Sequence, residues 1–510
     1  MALAESHNHR IKSVPVTPQK TLGSSITPLD GIRYLLDVVA LADRHRSEPG
    51  RSYFFFLFLL GLGIAFLVFG WTLVYGYFFS DDFTWLWHGF KINGSWPEIL
   101  RARMSTFYSP VLNAFYTLLF PVFQFSAWAY FLIGLLVHAA CAGLAGTLAF
   151  KLSRSRLAGI LATLLFAVCG GAYEPLVWIG ANMHSIAVLF ILSSLVSYYA
   201  YLERGKASWF VISFLTLVLA LGTKEISVVG PALLVALFGY RYITKQTLRL
   251  NLPHGIFLAS IFSLTLTYLI KQYFWQKSGI WITESVWKID WHYLVRLPLV
   301  IIDLFVPLKW LLKSGSALFL EIVSTLILGW TAWRYNKLPI VWFGLAWILI
   351  TVLPTIFFKP EYWFDPLASR YEYLPRIGSI LMIVGIFIYH VSHNTARRVI
   401  NGFALALILI SIVQIIFMAE TVSAEYDYVY ASGRTLVQAV KEISPTASKV
   451  YIQWDHPFTN NHAHIVGVLQ IINKIPESKI VFLDKDEKAV MVQNEVVLYW
   501  DALRREYHIK

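Results

Sequence analysis

Charged side chains are scarce in this sequence, and that scarcity excludes an ordinary soluble protein. Only 14% of its 510 residues are Asp, Glu, Lys or Arg, whereas 57% are hydrophobic. Soluble globular domains carry about 25% charged residues. The composition therefore predicts an α-helical polytopic membrane protein. An aromatic content of 16% agrees with rings placed at the two membrane interfaces.

Cysteine is almost absent. The two cysteines, Cys141 and Cys169, both lie inside apolar stretches. Isolated cysteines in such surroundings are typical of small packing residues. The sequence therefore predicts neither a disulfide framework nor a cysteine metal site.

Acidic residues are outnumbered, 30 against 42 lysines and arginines, which gives a formal net charge of +12. Much of the basic excess lies in short segments between apolar runs, such as Lys151, Arg154 and Arg156. The positive-inside rule explains this pattern better than nucleic-acid binding does, so no nucleic-acid partner is predicted.

Residues 1–50 have no apolar core of the signal-peptide type and end near a basic cluster, which predicts a cytoplasmic N-terminal segment.

Uncharged apolar runs fill residues 51–419, the predicted transmembrane domain. The first run, Tyr53–Phe79, is longer than the roughly 20 residues that cross a bilayer. Hydropathy predicts about eleven spans, an odd number that places the C-terminus outside the cytoplasm. The run at 107–123 is broken by prolines and is predicted to be an interfacial helix. The other spans are predicted at 127–150, 157–168, 183–201, 209–221, 226–240, 252–270, 317–333, 338–358, 374–390 and 399–418.

From residue 420 the composition becomes that of a soluble protein. Alternating apolar segments there predict a small extracytoplasmic α/β domain over 420–510. Its predicted elements are a helix at 426–443, a strand at 449–454, a helix at 463–474, a strand at 479–483 and a third strand at 493–499.

Two adjacent carboxylates, Asp81 and Asp82, follow the first span in the stretch YGYFFSDDFTWLWHGF. Aromatic rings crowd around them and favour the headgroup level, so the segment is predicted to lie along the membrane surface. Acids held at that depth suggest chemistry on a lipid-anchored substrate. An ordinary polar loop at a helix end is the alternative.

Further ionisable residues gather in turns on the same predicted side of the membrane. Such residues near apolar spans are costly and usually functional, although polar residues must also lie in loops for ordinary reasons. The members are Glu174, His184, Lys224, Glu225, Arg370, Glu372 and Arg376.

This set of acids and bases suits acyl or glycosyl transfer from a lipid carrier. A carboxylate can act as general base on an acceptor hydroxyl. A leaving phosphate needs cations, and Lys224, Arg370 and His184 are the candidates. His138 lies within the second predicted span and is either a packed histidine or a catalytic one.

The ordered motifs resemble those of the GT-C glycosyltransferases, which are multi-span enzymes that use polyprenyl-phosphate-linked sugars. The acidic pair resembles the first external loop of these enzymes. Four further motifs resemble the branch that contains the protein O-mannosyltransferases and the transmembrane-TPR O-mannosyltransferases. The whole resemblance covers residues 53–380. The motifs that carry it are LLVHAACAGL, FAVCGGAYEPLVWIGANMHSIAVLF, LALGTKE and SRYEYLPRIG.

The resemblance implies an inverting sugar transfer at the outer face of the plasma (inner) membrane, with the catalytic external loop at 80–126. It implies that Asp81 or Asp82 is the base and that the acceptor is a lipid, a cell-envelope glycan or a protein. The residues that it places in or beside the donor and phosphate site are Glu174, His184, Lys224, Glu225, Arg370 and Tyr373.

Two departures from the family pattern leave the donor sugar and the acceptor open. Tyr108-Ser109-Pro110 stands where relatives often have Arg-Pro, and Cys169-Gly170-Gly171 stands where they often have His-Pro. Some GT-C enzymes hold Mg²⁺ or Mn²⁺ on acidic loop residues, and the oxygens of Asp81, Asp82 and Glu174 would suit either ion. The branch that this chain resembles is thought to work without one, so no metal or other cofactor is predicted.

Two other classes of function compete with transfer. A transporter or flippase of a lipid-linked intermediate would be expected to show paired halves with broken helices, and no internal duplication is evident. A non-catalytic membrane scaffold is the other alternative, and retention of the acids and cations argues against it.

Overall fold

The structure is a computed structural model, and the residues that it describes lie within Glu48–Lys510. The predictions for 1–50 and for the span at 399–418, and nearly all of the span at 317–333, lie outside the described residues. The described residues are 51–102, 108–244, 252–277, 297–305, 333–354, 366–392, 427–453, 462–483, 494–501 and 506–510, with 326, 330, 331, 413, 416 and 504.

Most of the described chain is helical, as the composition predicts. The helices before the C-terminal domain are α1 Arg51–Phe69, α2 Thr72–Tyr75, α3 Asp81–Ile92, α4 Trp96–Arg101, α5 Pro110–Phe123, α6 Ala127–Ser153, α7 Arg156–Ala167, α8 Tyr173–Val177, α9 Asn182–Arg204, α10 Ala207–Leu221, α11 Gly230–Ile243, α12 Leu252–Lys277, α13 Leu297–Asp303, α14 Pro339–Val352 and α15 Pro375–Ser392. Short 3₁₀ turns lie at Gly170–Ala172, Ile179–Ala181, Glu225–Val229 and Pro366–Tyr371.

Small residues bring the first helices close together. A Cβ added at Gly61 of α1 would lie 3.1 Å from the Cβ of Ala142 in α6. A Cβ at Gly146 of α6 would lie 2.5 Å from the carbonyl oxygen of Gly159 in α7. Close backbone approach at small residues is how membrane helices gain packing energy without a hydrophobic effect between them. These helices form the frame from which the loop at 80–126 projects.

Three helical stretches in the described part of the chain are long and apolar enough to cross a bilayer, namely Ala127–Ser153, Ile179–Arg204 and Glu225–Ile243. Large apolar side chains face outward from other helices, and Leu67 of α1 is 84% exposed. An exposed apolar surface of this kind needs lipid to cover it. The chain is therefore a membrane protein, and the count of about eleven spans stays a prediction.

The predicted span at 157–168 is a broken element. Helix α7 has only 12 residues, and the chain bends by 51° between it and Gly170–Val177. Broken helices expose backbone polar groups, which are tolerated at membrane depth where they line a cavity or pack on protein. Here the break delivers Glu174 and the following loop to the candidate site.

The C-terminal region contains a four-stranded sheet in the order β2-β1-β3-β4. Strand β1 is parallel to β2 and β3, with Ile452 opposite Phe482 and Leu498, and β4 is antiparallel to β3. The strands are β1 Lys449–Gln453, β2 Ile480–Leu483, β3 Glu495–Asp501 and β4 Glu506–Ile509, and the helices are α16, residues 427–442, and α17, His462–Asn473.

The small sheet-containing domain is confirmed, and the structure adds β4, which the alternation of apolar residues did not reveal. Helix α17 makes the β1-to-β2 crossover that two parallel neighbours require. The predicted boundary at residue 420 lies outside the described residues.

The sheet domain packs directly on the segment that precedes α3. A Cβ added at Gly433 of α16 would overlap the carbonyl oxygen of Phe78. The guanidinium of Arg434 donates to the carbonyl of Tyr75 and lies 5.6 Å from the ring centroid of Tyr77. The domain and the acidic segment therefore form one packed body.

We expect Gly433→Ala to lower the free energy of unfolding by about 1–3 kcal/mol, because overpacking against a backbone atom cannot relax by side-chain rotation. Thermal unfolding in detergent measures this change. Gly239→Ala in α11 is the matched control, since its Cβ would meet nothing within 4 Å. Equal Tm values for the two variants would contradict the close contact at Phe78.

Candidate active site

The two acids at the start of α3 lie in different environments. Asp82 is completely buried, and its two carboxylate oxygens accept hydrogen bonds from the backbone N–H groups of Phe79, at 3.1 Å, and Gly180, at 2.6 Å. The side chain of Asp81 is 49% exposed. Sequence reasoning treats the pair as equivalent, and the structure separates a buried, hydrogen-bonded carboxylate from a half-exposed one.

Asp82 ties the start of α3 to the loop after α8. The turn into α3 is sharp, since Ser80 has a φ of 48°, which non-glycine residues rarely adopt. A Cβ at position 180 would lie 3.0 Å from both Asp82 Oδ1 and Trp178 Nε1, so glycine gives the carboxylate room to reach the backbone. Burial raises the pKa of Asp82 well above the ordinary carboxyl value, and the charge of Asp81 adds to the rise, while the two backbone hydrogen bonds lower it.

We expect Asp82→Asn to destabilise the fold by about 1–3 kcal/mol, because an amide offers one acceptor oxygen to two backbone N–H groups and leaves one of them unpaired. This mismatch holds whichever protonation state Asp82 adopts. The Tm of Asp82→Asn, compared with that of Asp81→Asn, measures it. A larger decrease for Asp81→Asn would contradict the anchoring role of Asp82.

A buried ion pair joins α8, which follows the break, to the turn before α15. The carboxylate of Glu174 pairs with the guanidinium of Arg370 and also accepts the backbone N–H of Arg370 at 3.1 Å. The backbone N–H of Glu174 in turn donates to Ser369 Oγ at 3.0 Å. Burial lowers the pKa of Arg370, but the charge of Glu174, the Tyr371 hydroxyl and their hydrogen bonds together outweigh it, and the pKa rises above the usual arginine value. Arg370 is therefore a permanent cation.

Aromatic rings orient this cation. The guanidinium carbon of Arg370 lies 5.3 Å from the ring centroid of Trp178 and 4.8 Å from that of Tyr371. Both distances suit cation–π attraction. Because Gly180 of the same loop binds Asp82, the loop from 174 to 180 connects the acidic pair to the arginine.

The other predicted cations lie around Arg370. The rings of His184 and Tyr371 meet edge to face at 5.7 Å, and both Arg370 and Lys224 are close enough to act on the charge of His184. Lys224 is buried and pairs with the half-exposed Glu225 at 2.9 Å. The structure therefore places two cations, Arg370 and Lys224, near the buried His184.

Tyr373 lies in the packed interior. Its hydroxyl is 2.8 Å from Nδ1 of His138, whose Nε2 is 3.2 Å from the carbonyl oxygen of Ala167. These contacts favour the packed-histidine alternative for His138. A Cβ at Gly171 would lie 3.1 Å from the backbone nitrogen of Tyr373, so the Cys-Gly-Gly departure lets this loop lie directly on the 372–373 backbone.

Glu372 and Arg376 pair with each other at 2.7 Å, and Arg376 also donates to the carbonyl oxygen of Leu304 at 2.9 Å. Both side chains are buried. Their contacts hold the turn before α15, and so the backbone of Arg370, in place.

The donor set for a divalent ion does not fit. The oxygens of Glu174 bind Arg370, and those of Asp82 bind backbone N–H groups. Among the described residues, no group of three or more His, Cys, Asp or Glu side chains could hold a metal ion. The absence of a requirement for Mg²⁺ or Mn²⁺ stays a prediction.

One residue at the site has no counterpart in the sequence predictions. Nε2 of His464, in α17 of the sheet domain, lies 3.1 Å from Asp81 Oδ1. The separation of 383 positions along the chain means that no local pattern could connect the two. The only sequence signal is a histidine near the start of a predicted helix.

Comparison with known proteins gives likenesses to solved structures alone. No protein-family model matches the chain, and no curated protein does. Among the solved structures that resemble it is the apo form of the Archaeoglobus fulgidus oligosaccharyltransferase, with a TM-score of 0.48 and 10% sequence identity over 85% of this chain. The match covers 64% of the archaeal chain, so this chain spans less than two thirds of its length. A likeness at this level decides neither reaction nor substrate, which depend on the side chains of the site.

Proposed function

We propose that this protein is a GT-C-type glycosyltransferase that moves a sugar from a polyprenyl-phosphate-linked donor to an extracytoplasmic acceptor, with inversion at the anomeric carbon. The observation that carries the proposal is that one segment, residues 174–180, holds two groups in place. It binds Asp82, next to the half-exposed carboxylate Asp81, and it anchors the cation Arg370. Transfer from a phosphate leaving group needs a base and a cation in this arrangement.

Asp81 is the general base in this proposal, because it is the reachable member of the acidic pair. The acceptor oxygen forms a bond to the anomeric carbon from the face opposite the phosphate, and its proton passes to Asp81. The bond between the anomeric carbon and the phosphate oxygen breaks, and its electron pair leaves with the polyprenyl phosphate. Asp82 holds the backbone of α3 so that Asp81 stays at the site.

Arg370 stabilises the negative charge that develops on the leaving phosphate. The Arg370 side chain is 20% exposed, and Glu174 and two aromatic rings fix the plane of its guanidinium. Lys224 adds a second positive charge near the same region. Tyr373, by contrast, acts through packing against His138.

The orientation follows from the basic loops and from one contact. Lys151 and Arg154, at the opposite end of α6, pair with Glu203 at the end of α9, and the positive-inside rule places that end in the cytoplasm. The site and the sheet domain then lie outside the plasma membrane, on the same side because His464 contacts Asp81. In this proposal residues 51–419 form the transmembrane domain and 420–510 the external one. The acceptor is a lipid, an envelope glycan or a protein, and the O-mannosyltransferase branch remains a prediction.

The test is a donor assay on the purified protein in lipid with a panel of polyprenyl-phosphate sugars. The quantity measured is the release of unglycosylated polyprenyl phosphate, with and without EDTA, in the presence of membrane extract as a source of acceptors. We expect release from one donor class that EDTA leaves unchanged. Release that EDTA abolishes would contradict the metal-free part of the proposal.

Absence of release from every donor, with the protein folded, would overturn the transferase proposal. Transport of the same lipid-linked sugars across vesicles without release would favour the flippase alternative.

A further inference from the structure

The sheet domain contacts α3, the helix that carries Asp81 and Asp82, as well as the segment before it. Trp87 of α3 donates its indole N–H to Gln470 Oε1 of α17 at 2.8 Å. A Cβ at Gly467 would lie 3.1 Å from Trp87 Cβ, and Lys474 Nζ lies 4.0 Å from the ring centroid of Phe90. With the carbonyl oxygen of Phe83 3.4 Å from the same added Cβ, the contact extends along about two turns of α3.

A second set of contacts fixes the domain at another point. Tyr430 of α16 donates its hydroxyl to the carbonyl oxygen of Val177, next to the loop that binds Asp82. The Tyr430 ring also lies 5.8 Å from the ring of Phe79. Two separate attachments restrain both translation and rotation of the domain, so the distance between α17 and Asp81 is set by packing.

His464 is the polar residue that this docking brings to the acidic pair. It is only 2% exposed, and its Nε2 lies 3.1 Å from Asp81 Oδ1. Its Nδ1 is buried and has no hydrogen-bond partner among the residues that the structure describes. An unpaired buried N–H costs more than an unpaired lone pair, so the favoured tautomer carries its proton on Nε2.

We propose that His464 is a positioning residue for Asp81, which completes the active site from the C-terminal domain. This inference rests on the function proposed above and deepens it. The Nε2–H group donates to Oδ1 and restrains the half-exposed carboxylate, so that Oδ2 faces the acceptor. The acceptor proton moves to Oδ2 of Asp81, and His464 keeps its own proton throughout.

The geometry favours positioning over simple attachment of the domain. Gln470, Lys474, Tyr430 and Arg434 already attach it through contacts away from Asp81. A buried imidazole whose only hydrogen bond within the described residues goes to a half-exposed carboxylate adds little to that attachment. The hydrogen bond from His464 does restrict rotation of the Asp81 carboxylate. Misplacement of a reacting group by about 1 Å can lower a rate about 100-fold.

The test compares three variants in the donor-release assay. His464→Phe keeps the ring volume and removes the donor, so we expect kcat to fall about 10–100-fold while KM for the donor changes less than about 2-fold. His464→Gln offers an amide N–H in place of Nε2–H and should keep kcat within about 5-fold of the wild-type value. Gln470→Met is the matched control, since it breaks an interface hydrogen bond that does not touch Asp81, and it should lower Tm with kcat unchanged.

The outcomes separate the two proposals. Suppose that the wild-type protein releases polyprenyl phosphate. Equal losses of kcat in His464→Phe and Gln470→Met would then overturn the positioning role, and so would an unchanged kcat in His464→Phe. Either result leaves the transferase proposal intact. Failure of the wild-type protein on every donor would overturn the function and this role together. If His464→Phe does not fold, failure of His464→Gln to retain kcat would overturn the role.

Discussion

Asp81→Asn should lower kcat for sugar transfer by about 10²–10⁴-fold, the range that general-base catalysis contributes. Asparagine keeps the shape of the side chain and its hydrogen-bond acceptor for His464 but cannot take the acceptor proton. Because the side chain is 49% exposed, the protein should fold with a Tm close to that of the wild type. Release of polyprenyl phosphate under saturating donor measures the effect, and KM for the donor should change little.

The control for this prediction is Glu98→Gln in α4, which removes an exposed carboxylate from the same external loop. We expect its turnover to equal that of the wild type. Full activity in Asp81→Asn together with loss in Asp82→Asn at unchanged Tm would assign the base to Asp82 and contradict the roles proposed for the pair.

Arg370→Gln should cause two separate losses. Removing the cation leaves Glu174 buried without its charge partner, and breaking such a pair costs about 3–5 kcal/mol of stability. Loss of the guanidinium also removes a donor to the leaving phosphate, which costs about 10²–10³-fold in kcat. Thermal unfolding and the donor-release assay measure the two losses on the same preparation.

A double substitution distinguishes them. In Glu174→Gln/Arg370→Gln the buried pair becomes two neutral amides, so most of the lost stability should return. The rate should not return, because the cation is still missing. If activity recovered together with Tm, Arg370 would be a structural partner of Glu174 and the phosphate would be stabilised by Lys224 or His184.

Arg370→Lys gives a further comparison. Lysine keeps the charge but cannot bind Glu174 through a planar fork or stack on Trp178 and Tyr371 in the same way. We expect activity between that of the wild type and that of Arg370→Gln.

The acidic pair shows how far local sequence reasoning reaches at the site. Asp81 and Asp82 are adjacent and chemically identical, so the sequence predicts that one of them is the base but cannot choose. The choice depends on Gly180, whose backbone N–H binds Asp82 from a loop 98 positions away. Burial then differs between the two because consecutive residues at a helix start point in different directions.

Glu174 and Arg370 show a similar limit. Their motifs predict that both lie in or beside a donor site, and the structure shows that they bind each other across 196 positions. Tyr373 belongs to the same motif as Arg370, yet it points into the interior against His138. The 3₁₀ turn ends at Tyr371, so Arg370 and Tyr373 share no regular helical face, and composition alone cannot specify where each side chain points.

Composition and periodicity by themselves determined that this is a helical membrane protein with a small sheet-containing domain, because hydrophobic content and period are local properties of the chain. Local hydropathy also located an acidic segment after the first apolar helix and basic loops between others. Only the tertiary structure separated Asp81 from Asp82, joined Arg370 to Glu174 and brought His464 to Asp81. Those arrangements arise from packing between distant segments, where the energy depends on which surfaces meet and not on the residues beside them in the chain.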